Sequence, residues 1–112
     1  MKVLIIDDEP DIGFILSFEL RGLGHETEAF VSAFEAMEYL KTNTPDAILC
    51  DFQMPRMNGL DFFLWLKENN YSIPFYILTG EPTMDTQQLL QSGIKDILFK
   101  PQDLLRLKHY FK

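Results

Sequence analysis

The sequence is poor in the residues on which secreted, nucleic-acid-binding and membrane-spanning proteins depend. Its single cysteine, Cys50, cannot form an internal disulfide, and a free thiol suits a reducing compartment. Ten lysines and arginines against seventeen acids give a formal net charge of −7, which disfavours binding to nucleic acid or anionic lipid. The aliphatic run at residues 3–6 is too short for a signal peptide or a membrane span. We therefore expect a cytoplasmic protein with no membrane contact and no direct nucleic-acid partner.

One repeating pattern of strands and helices runs through the chain. Its 112 residues, 46% of them hydrophobic, are enough for a single packed domain. Short apolar runs typical of buried strands alternate with stretches of helical spacing. The predicted strands are residues 2–6, 25–30, 46–50, 73–78 and 96–99, and the predicted helices are 10–22, 33–41, 59–70, 83–92 and 103–111. Five such units in succession predict an α/β fold with a parallel sheet and helices on both faces.

Polar residues follow four of the predicted strands. Asp7 and Asp8 follow the first strand, Asp51 the third, Thr79 the fourth and Lys100 the fifth. Taken singly, an acid pair is usually a solvated turn, and a lysine or threonine at a strand end is common. Because the carboxyl ends of parallel strands meet at one edge of a sheet, we expect these five side chains to lie together. Their convergence favours a site over five unrelated surface residues.

The residue types at this edge suit phosphoryl transfer assisted by a cation. Three clustered carboxylates repel one another and call for a divalent cation such as Mg²⁺ or Mn²⁺. Lys100 supplies a positive charge and Thr79 a hydroxyl donor for an incoming phosphoryl group. A carboxylate such as that of Asp51 can itself be the nucleophile and form an acyl phosphate.

Four segments carry a family resemblance: residues 7–9, 51–59, 79–80 and 100–101. The second has the pattern Asp-x-x-Met-Pro-x-x-x-Gly between Asp51 and Gly59, and the last is Lys100-Pro101. In this order and spacing the chain resembles, over essentially its whole length, the receiver domain of two-component response regulators. The resemblance implies a flavodoxin-like (βα)5 fold, doubly wound, with five parallel strands in the order 2-1-3-4-5.

The resemblance also implies how the acceptor and the metal are held. Asp51 would be the phosphoacceptor and a metal ligand, and Asp8 would be a direct ligand of Mg²⁺. Asp7 would act on the metal through water, and the backbone carbonyl of Gln53 would complete the coordination. Gln53 and Glu81 stand where the family tunes the rate of dephosphorylation.

The phosphoryl group and the partners follow from the same resemblance. Thr79 and the amide of Gly80 would hold phosphoryl oxygens, and Lys100 would pair with the phosphate, its peptide bond to Pro101 being cis. The chain would catalyse only its own phosphorylation and dephosphorylation and would not be an enzyme in the ordinary sense. Its partners would be a histidine kinase or phosphotransfer protein and a downstream protein that the sequence does not identify. A weak homodimer is compatible with the sequence.

Two features depart from the family pattern. Ile97 occupies the position, three residues before the late lysine, where receivers commonly carry an aromatic switch residue. Phe99 lies on the same strand face but closer to the active edge. Helical spacing also places Leu64 roughly opposite the sheet-facing residues of its helix and Trp65 on the flank, which predicts an exposed contact patch. These departures motivate an alternative function, a receiver-like interaction module whose partner binding is independent of phosphorylation.

The remaining residues lead to simpler expectations. A haloacid-dehalogenase-like phosphatase is disfavoured because residues 7–11 lack the Asp-x-Asp spacing of that class. We expect a single domain over residues 1–112 with no output domain, Cys50 as a buried thiol, and no site at His25 or His109. Six phenylalanines are expected mostly in the core: Phe14, Phe18, Phe30, Phe34, Phe62 and Phe63.

Overall fold

The fold is a five-stranded parallel sheet with helices on both faces. The structure is a computed structural model that describes residues 1–81 and 85–112. The strands found in these residues are β1 (Lys2–Ile6), β2 (Glu26–Phe30), β3 (Ala47–Asp51), β4 (Phe75–Thr79) and β5 (Asp96–Phe99). The helices are α1 (Pro10–Gly22), α2 (Ala33–Leu40), α3 (Gly59–Glu68) and α4 (Thr86–Gln91). The strand order β2-β1-β3-β4-β5, all parallel, confirms the predicted α/β fold and its order.

The sheet separates two hydrophobic clusters, one for each set of alternating strand side chains. On one face, Leu4 and Ile6 pack with residues of α2, α3 and α4. On the other face, Val3 and Ile5 pack with residues of α1 and of the C-terminal segment. Because successive strand residues point to opposite faces, a strand buried on both sides reads as a continuous aliphatic run. This double burial accounts for the apolar sequences of β1, β3 and β4, whereas β2 has a polar sequence and is mostly exposed.

Polar caps set the starts of three helices. The Ser32 hydroxyl caps α2 by accepting a hydrogen bond from the Glu35 amide at 3.2 Å. Asn58 and Asp61 form a reciprocal capping box at the start of α3. Asp85 caps α4 by accepting from the Gln88 amide at 3.1 Å. The predicted start of that helix at Thr83 lies outside the described residues, and the helix begins at Thr86.

The prediction of a last α-helix over residues 103–111 is wrong. The structure has two 3₁₀ turns there, Gln102–Leu105 and Leu107–His109. The Arg106 amide bonds to the Asp103 carbonyl and the Tyr110 amide to the Leu107 carbonyl, both over three residues. A nine-residue helix is marginal alone, so burial of the anchors Leu107 and Phe111 determines this backbone rather than helical propensity.

Half of the six phenylalanines expected in the core are not in it. Phe62 and Phe63 are buried and Phe30 is half-buried, but Phe14 and Phe18 are each 71% exposed and Phe34 is 41% exposed. Leu16 and Leu20 are the α1 residues that face the sheet. A shift of two positions rotates a side chain about 200° around the helix, so Phe14 and Phe18 point outward.

The predicted Leu64–Trp65 patch is only partly exposed. Leu64 is exposed, whereas Trp65 is half-buried and stacks on Phe62 and Tyr71 at ring-centroid distances of 6.1 and 5.8 Å. The flank position of Trp65 therefore turns it toward neighbouring aromatic rings of the same molecule. Within the described ranges, no helix has the length and apolar character needed to cross a membrane.

Candidate functional site

The carboxyl ends of four strands bring the predicted site residues together. Asp7 directly follows β1, Asp51 and Thr79 are the last residues of β3 and β4, and Lys100 directly follows β5. The pairings of Asp51 with Leu78 and of Thr79 with Phe99 keep the strand ends level. The edge of the sheet therefore presents two carboxylates, a hydroxyl and an ammonium from four separate segments.

Three carboxylates and one lysine form the centre of the site. Oxygen atoms of Asp7, Asp8 and Asp51 all lie within 4.8 Å of one another. Asp7 and Asp51 are buried and Asp8 is half-buried. The Lys100 ammonium lies 3.1 Å from Asp7 Oδ2 and 3.3 Å from Asp51 Oδ1. It also lies 3.8 Å from the exposed Glu9 carboxylate. The Lys100 ammonium thus lies close to three carboxylates.

Burial and mutual repulsion disturb the titration of these groups. Burial, followed by the charge of Asp7, raises the pKa of Asp51 to about 7, although Lys100 acts in the opposite direction. Burial also raises the pKa of Asp7 against the effect of its hydrogen bond from the Glu9 amide. Burial disfavours the Lys100 ammonium, yet the carboxylates of Asp51 and Asp7 leave its pKa raised. The cluster therefore carries more negative charge than Lys100 alone balances.

The cluster has the chemistry of a site for a hard divalent cation. All three converging ligand atoms are carboxylate oxygens, the type that Mg²⁺ prefers. Asp7 Oδ2 is buried and accepts no hydrogen bond from the part of the chain that the structure describes, although Lys100 pairs with it by charge. An open cavity of about 680 Å³ lies beside the cluster, lined by Asp8, Asp51, Gln53, Gly80 and Lys100 among others. Residues and cavity fit a metal and a phosphoryl group together.

The β4 end supplies the groups predicted to contact phosphoryl oxygens. Thr79 is buried, and its Oγ1 accepts a hydrogen bond from the Glu81 amide at 3.0 Å, which leaves the hydroxyl proton available for donation. Gly80 is exposed and lines the cavity. Lys100 donates its amide to the Thr79 carbonyl at 2.8 Å, and the Lys100–Pro101 peptide bond is cis. These bonds hold the β4 and β5 ends side by side.

Ile97 and Cys50 lie in the core below the site. Ile97 is buried and pairs with Ile77 across β4 and β5. Phe99, which is half-buried, pairs with Thr79 at the active edge. Cys50 is fully buried, as expected, and its thiol donates to the Asp51 carbonyl; burial raises its pKa well above the ordinary value. A protonated, inaccessible thiol takes no part in the chemistry.

Glu9 and Gly59 belong to segments that carry the family resemblance, and the structure gives each of them a contact that the sequence did not predict. Glu9 approaches Lys100, and its place directly after the acid pair was the available signal. Gly59 packs so closely that an added Cβ would lie 2.7 Å from the Asp51 carbonyl oxygen. Gly59 ends the Asp-x-x-Met-Pro-x-x-x-Gly pattern, but the pattern does not reveal this contact, because the contact depends on how α3 packs against β3. Gly59 therefore positions the backbone of the acidic residue itself.

The chain matches known families and proteins over nearly its whole length. A sequence profile described as Response regulator receiver domain matches residues 3–112. The chain is 33% identical over 109 residues to the Regulator of RpoS of Escherichia coli strain K12, covering 96% of this chain and 32% of that protein. It thus spans about a third of the length of this curated relative.

Solved structures show the same architecture. The receiver domain of the Francisella response regulator 1452 superposes with a TM-score of 0.85 at 28% identity, covering 98% of this chain and 94% of that one. The receiver domain of the sensor histidine kinase PA1611 from Pseudomonas aeruginosa PAO1 gives a TM-score of 0.84 at 23% identity, covering 98% and 93%. That structure was solved with a magnesium ion coordinated in its active site cleft. At this identity the second likeness supports the fold alone.

Proposed function

Because this chain belongs to the family of response regulator receiver domains, we propose that it takes a phosphoryl group onto Asp51 from a histidine kinase or phosphotransfer protein. A receiver of a two-component system is by nature a phosphoacceptor module rather than a conventional enzyme. The observation that carries the assignment of Asp51 is its position, buried among Asp7, Asp8 and Lys100 at the floor of an open cavity. The ionised carboxylate is the nucleophile available there.

The transfer exchanges one bond to phosphorus for another. A carboxylate oxygen of Asp51 supplies the electron pair for the new P–O bond, while the P–N bond of the donor phosphohistidine breaks and its electron pair returns to the imidazole. The product is an acyl phosphate on Asp51. Lys100 already lies 3.3 Å from the Asp51 carboxylate, so its ammonium is in place to pair with the added negative charge.

We propose that Mg²⁺ or Mn²⁺ is held directly by Asp8, Asp51 and the Gln53 carbonyl. Asp7 would act on the metal through water. When bound, the cation neutralises the clustered carboxylates and the charge of phosphoryl oxygens. The acidic cluster of this chain supports this assignment directly, because its oxygens converge within 4.8 Å.

The β4 end is proposed to hold the phosphoryl group and to influence its lifetime. Thr79 donates its hydroxyl proton and Gly80 its amide proton to phosphoryl oxygens. Gln53 lines the cavity, and Glu81 follows the two phosphate-binding residues on the same loop. We assign to both side chains an effect on the rate at which water reaches the acyl phosphate.

Incubation with acetyl phosphate and Mg²⁺, followed by intact mass spectrometry, tests the proposal. Wild-type protein should gain the mass of one phosphoryl group, and Asp51→Asn should gain none. Asp11→Asn is the matched control, because Asp11 is an exposed acid outside the carboxylate cluster. Folded wild-type protein that gains no mass at any Mg²⁺ concentration would contradict the proposal. Equal labelling of Asp51→Asn would contradict the choice of acceptor.

A second candidate function is partner binding that does not depend on phosphate. Ile97 favours it, because a buried aliphatic residue paired with Ile77 cannot swing as an aromatic switch residue does. The exposed Leu64 offers contact area independent of the acidic edge. Partner affinity measured with wild type, phosphorylated wild type and Asp51→Asn separates the two functions. Equal affinities support the second function, and a difference of several-fold supports phosphate-controlled binding. We also propose that residues 1–112 form one receiver domain and that this domain acts in the cytoplasm.

A further inference from the structure

The outer face of α1 carries two exposed aromatic side chains. Phe14 and Phe18 are each 71% exposed and stand one helical turn apart. Neither side chain is required by the phosphoacceptor site, and both lie on the side of the helix opposite Leu16 and Leu20. A single exposed phenylalanine is ordinary, but an adjacent pair is an apolar patch of the kind used for contacts.

Two opposite charges lie at the ends of this patch. Asp11 precedes Phe14 by three residues, Arg21 follows Phe18 by three residues, and both charged side chains are exposed. At 100° per residue, these four side chains fall within about 80° of the helix circumference. The outer stripe of α1, made of Asp11, Phe14, Phe18 and Arg21, therefore runs from acid through two phenylalanines to base.

The outer stripe is complementary to itself when reversed. If a second copy of α1 packs antiparallel about a two-fold axis at the level of residue 16, residue 14 of one copy faces residue 18 of the other. In the same register Asp11 faces Arg21 of the second copy, and the two-fold axis repeats this ion pair. The helix dipoles also run in opposite directions, which is the favourable arrangement. One register thus satisfies the apolar and the charged positions together.

The surface shape fits the same register. Phe14, Ser17, Phe18 and Arg21 have the i, i+3, i+4, i+7 spacing of the hole that receives a side-chain knob from a partner helix. The structure has a depression of about 400 Å³ lined by these residues and Gly22. The two-fold places Phe14 of the second copy over its centre. Apart from its chain neighbours and the backbone of α1 itself, no heavy atom of residues 1–81 and 85–112 lies within 4 Å of where the Gly22 Cβ would be, so the depression is open at that end.

We infer that α1 is a self-association surface through which two copies of this chain pack antiparallel along the outer stripe. The interface is isologous, since each copy contributes the same residues. Four phenylalanines at the observed exposure contribute on the order of 600 Å², below the roughly 1,200 Å² typical of stable complexes. The dimer is therefore weak and concentration-dependent, and the net charge of −7 on each copy also opposes it.

A charge-reversal pair tests this inference by sedimentation equilibrium. Asp11→Arg alone places a second arginine against Arg21 across the axis, and Arg21→Asp alone places a second aspartate against Asp11. Each variant should associate roughly 10-fold or more weakly than wild type. An equimolar mixture of the two variants brings opposite charges together again in a heterodimer, so its association should return toward the wild-type value. This recovery is specific to two copies packed in the proposed register.

Matched variants and a second substitution keep the test decisive. Glu68→Arg and Lys95→Asp change the net charge equally at exposed positions outside α1 and should leave association unchanged. Because Arg21 also donates to the Thr27 hydroxyl at 2.9 Å, thermal unfolding checks that Arg21→Asp is folded. If Arg21→Asp is not folded, Phe14→Ser replaces it in the test. Phe14 is exposed, and this variant should also lower association roughly 10-fold.

Three results would overturn the inference. Wild type could remain monomeric at millimolar concentration, the single variants could associate like wild type, or the mixture could fail to recover. If both charge variants instead lose phosphoryl uptake from a donor protein while wild type stays monomeric, the outer stripe belongs to the donor contact.

Discussion

Asp51 and Asp7 place two carboxylates where little water reaches them. Both side chains are almost fully buried, and Lys100 is the cation between them. The raised pKa of Asp51, about 7, means that the metal-free site holds a proton that an exposed aspartate would have lost. At the residue scale, three carboxylates are held close together despite their repulsion, so the ligands of the proposed metal are positioned before any cation binds.

This repulsion gives a pH dependence of stability. The pKa of Asp51 is about 7 when folded and about 3.9 in an unfolded chain, so the folded state binds more protons between these values. Without divalent cations, the free energy of unfolding should therefore fall as pH rises from 4 toward 7. Asp51→Asn should show a shallower fall and should unfold at a higher temperature than wild type at pH 8. Thermal melts in chelator test this, and parallel curves for the two proteins would refute it.

A second prediction at the residue scale concerns the close packing of Gly59, at the start of α3, against β3 and β4. A Cβ at Gly59 would meet the Asp51 carbonyl oxygen at 2.7 Å and Ile77 Cδ1 at 2.8 Å. Gly59→Ala should therefore lower the free energy of unfolding by about 1–3 kcal/mol, since backbone must move. Gly22→Ala is the control, because its Cβ meets nothing within 4 Å, and it should stabilise α1 by up to about 1 kcal/mol. Urea denaturation measures both, and equal stability of the two variants would contradict the packing argument.

At the element scale, the C-terminal segment shows how packing overrides helical pattern. Leu107 and Phe111 are fully buried, and Phe111 packs on Tyr76 with ring centroids 4.6 Å apart. The Phe111 carbonyl oxygen lies 3.2 Å from His25 Nε2, so the buried histidine contributes to this packing. The segment closes one face of the sheet without forming an α-helix.

Truncating the anchor of this segment should be costly. Phe111→Ala should lower the free energy of unfolding by about 3–5 kcal/mol, because the cavity lies in the core beside Tyr76. Leu105→Ala removes a side chain that is 70% exposed and should change it by less than about 0.5 kcal/mol. Chemical denaturation of both variants provides the test. A Phe111→Ala variant as stable as Leu105→Ala would show that the segment does not dock.

At the scale of the whole molecule, the strand order places three mutually repelling carboxylates side by side, and this repulsion lowers the stability of the fold. Asp7 and Asp8 follow β1 while Asp51 ends β3, so their repulsion acts across two neighbouring central strands. A cation bound between them stabilises the folded state by mass action. At ten times the dissociation constant this amounts to about 1.4 kcal/mol.

Mg²⁺ should therefore raise the unfolding temperature of wild type, and a chelator should reverse the rise. Asp8→Asn should lose most of this response because it removes one carboxylate of the cluster. Glu19→Gln, on α1 and outside the cluster, should respond like wild type. Differential scanning calorimetry with and without Mg²⁺ measures the shift. An undiminished shift in Asp8→Asn would remove Asp8 from the proposed ligand set.

The sequence alone determined the layers, the strand order through its family resemblance, and the residues that meet at the carboxyl edge of the sheet. The layers and the edge residues are local or periodic features: a doubly buried strand reads as an aliphatic run, and the residue after a strand must lie at the edge of the sheet. Asp7, Asp51, Thr79 and Lys100 were found for this reason.

The tertiary structure alone decided which apolar residues are buried and how the end of the chain folds. Phe14 and Leu16 are equally apolar in the sequence, and only the docking of α1 on the sheet exposes the first and buries the second. The same holds for the 3₁₀ turns at the end of the chain and for the contact of Gly59 with Asp51. It also holds for Lys100, which pairs with both Asp7 and Asp51. Each of these features depends on groups far apart in the chain. Contacts between distant residues leave no periodic trace, because their geometry exists only once the elements have packed.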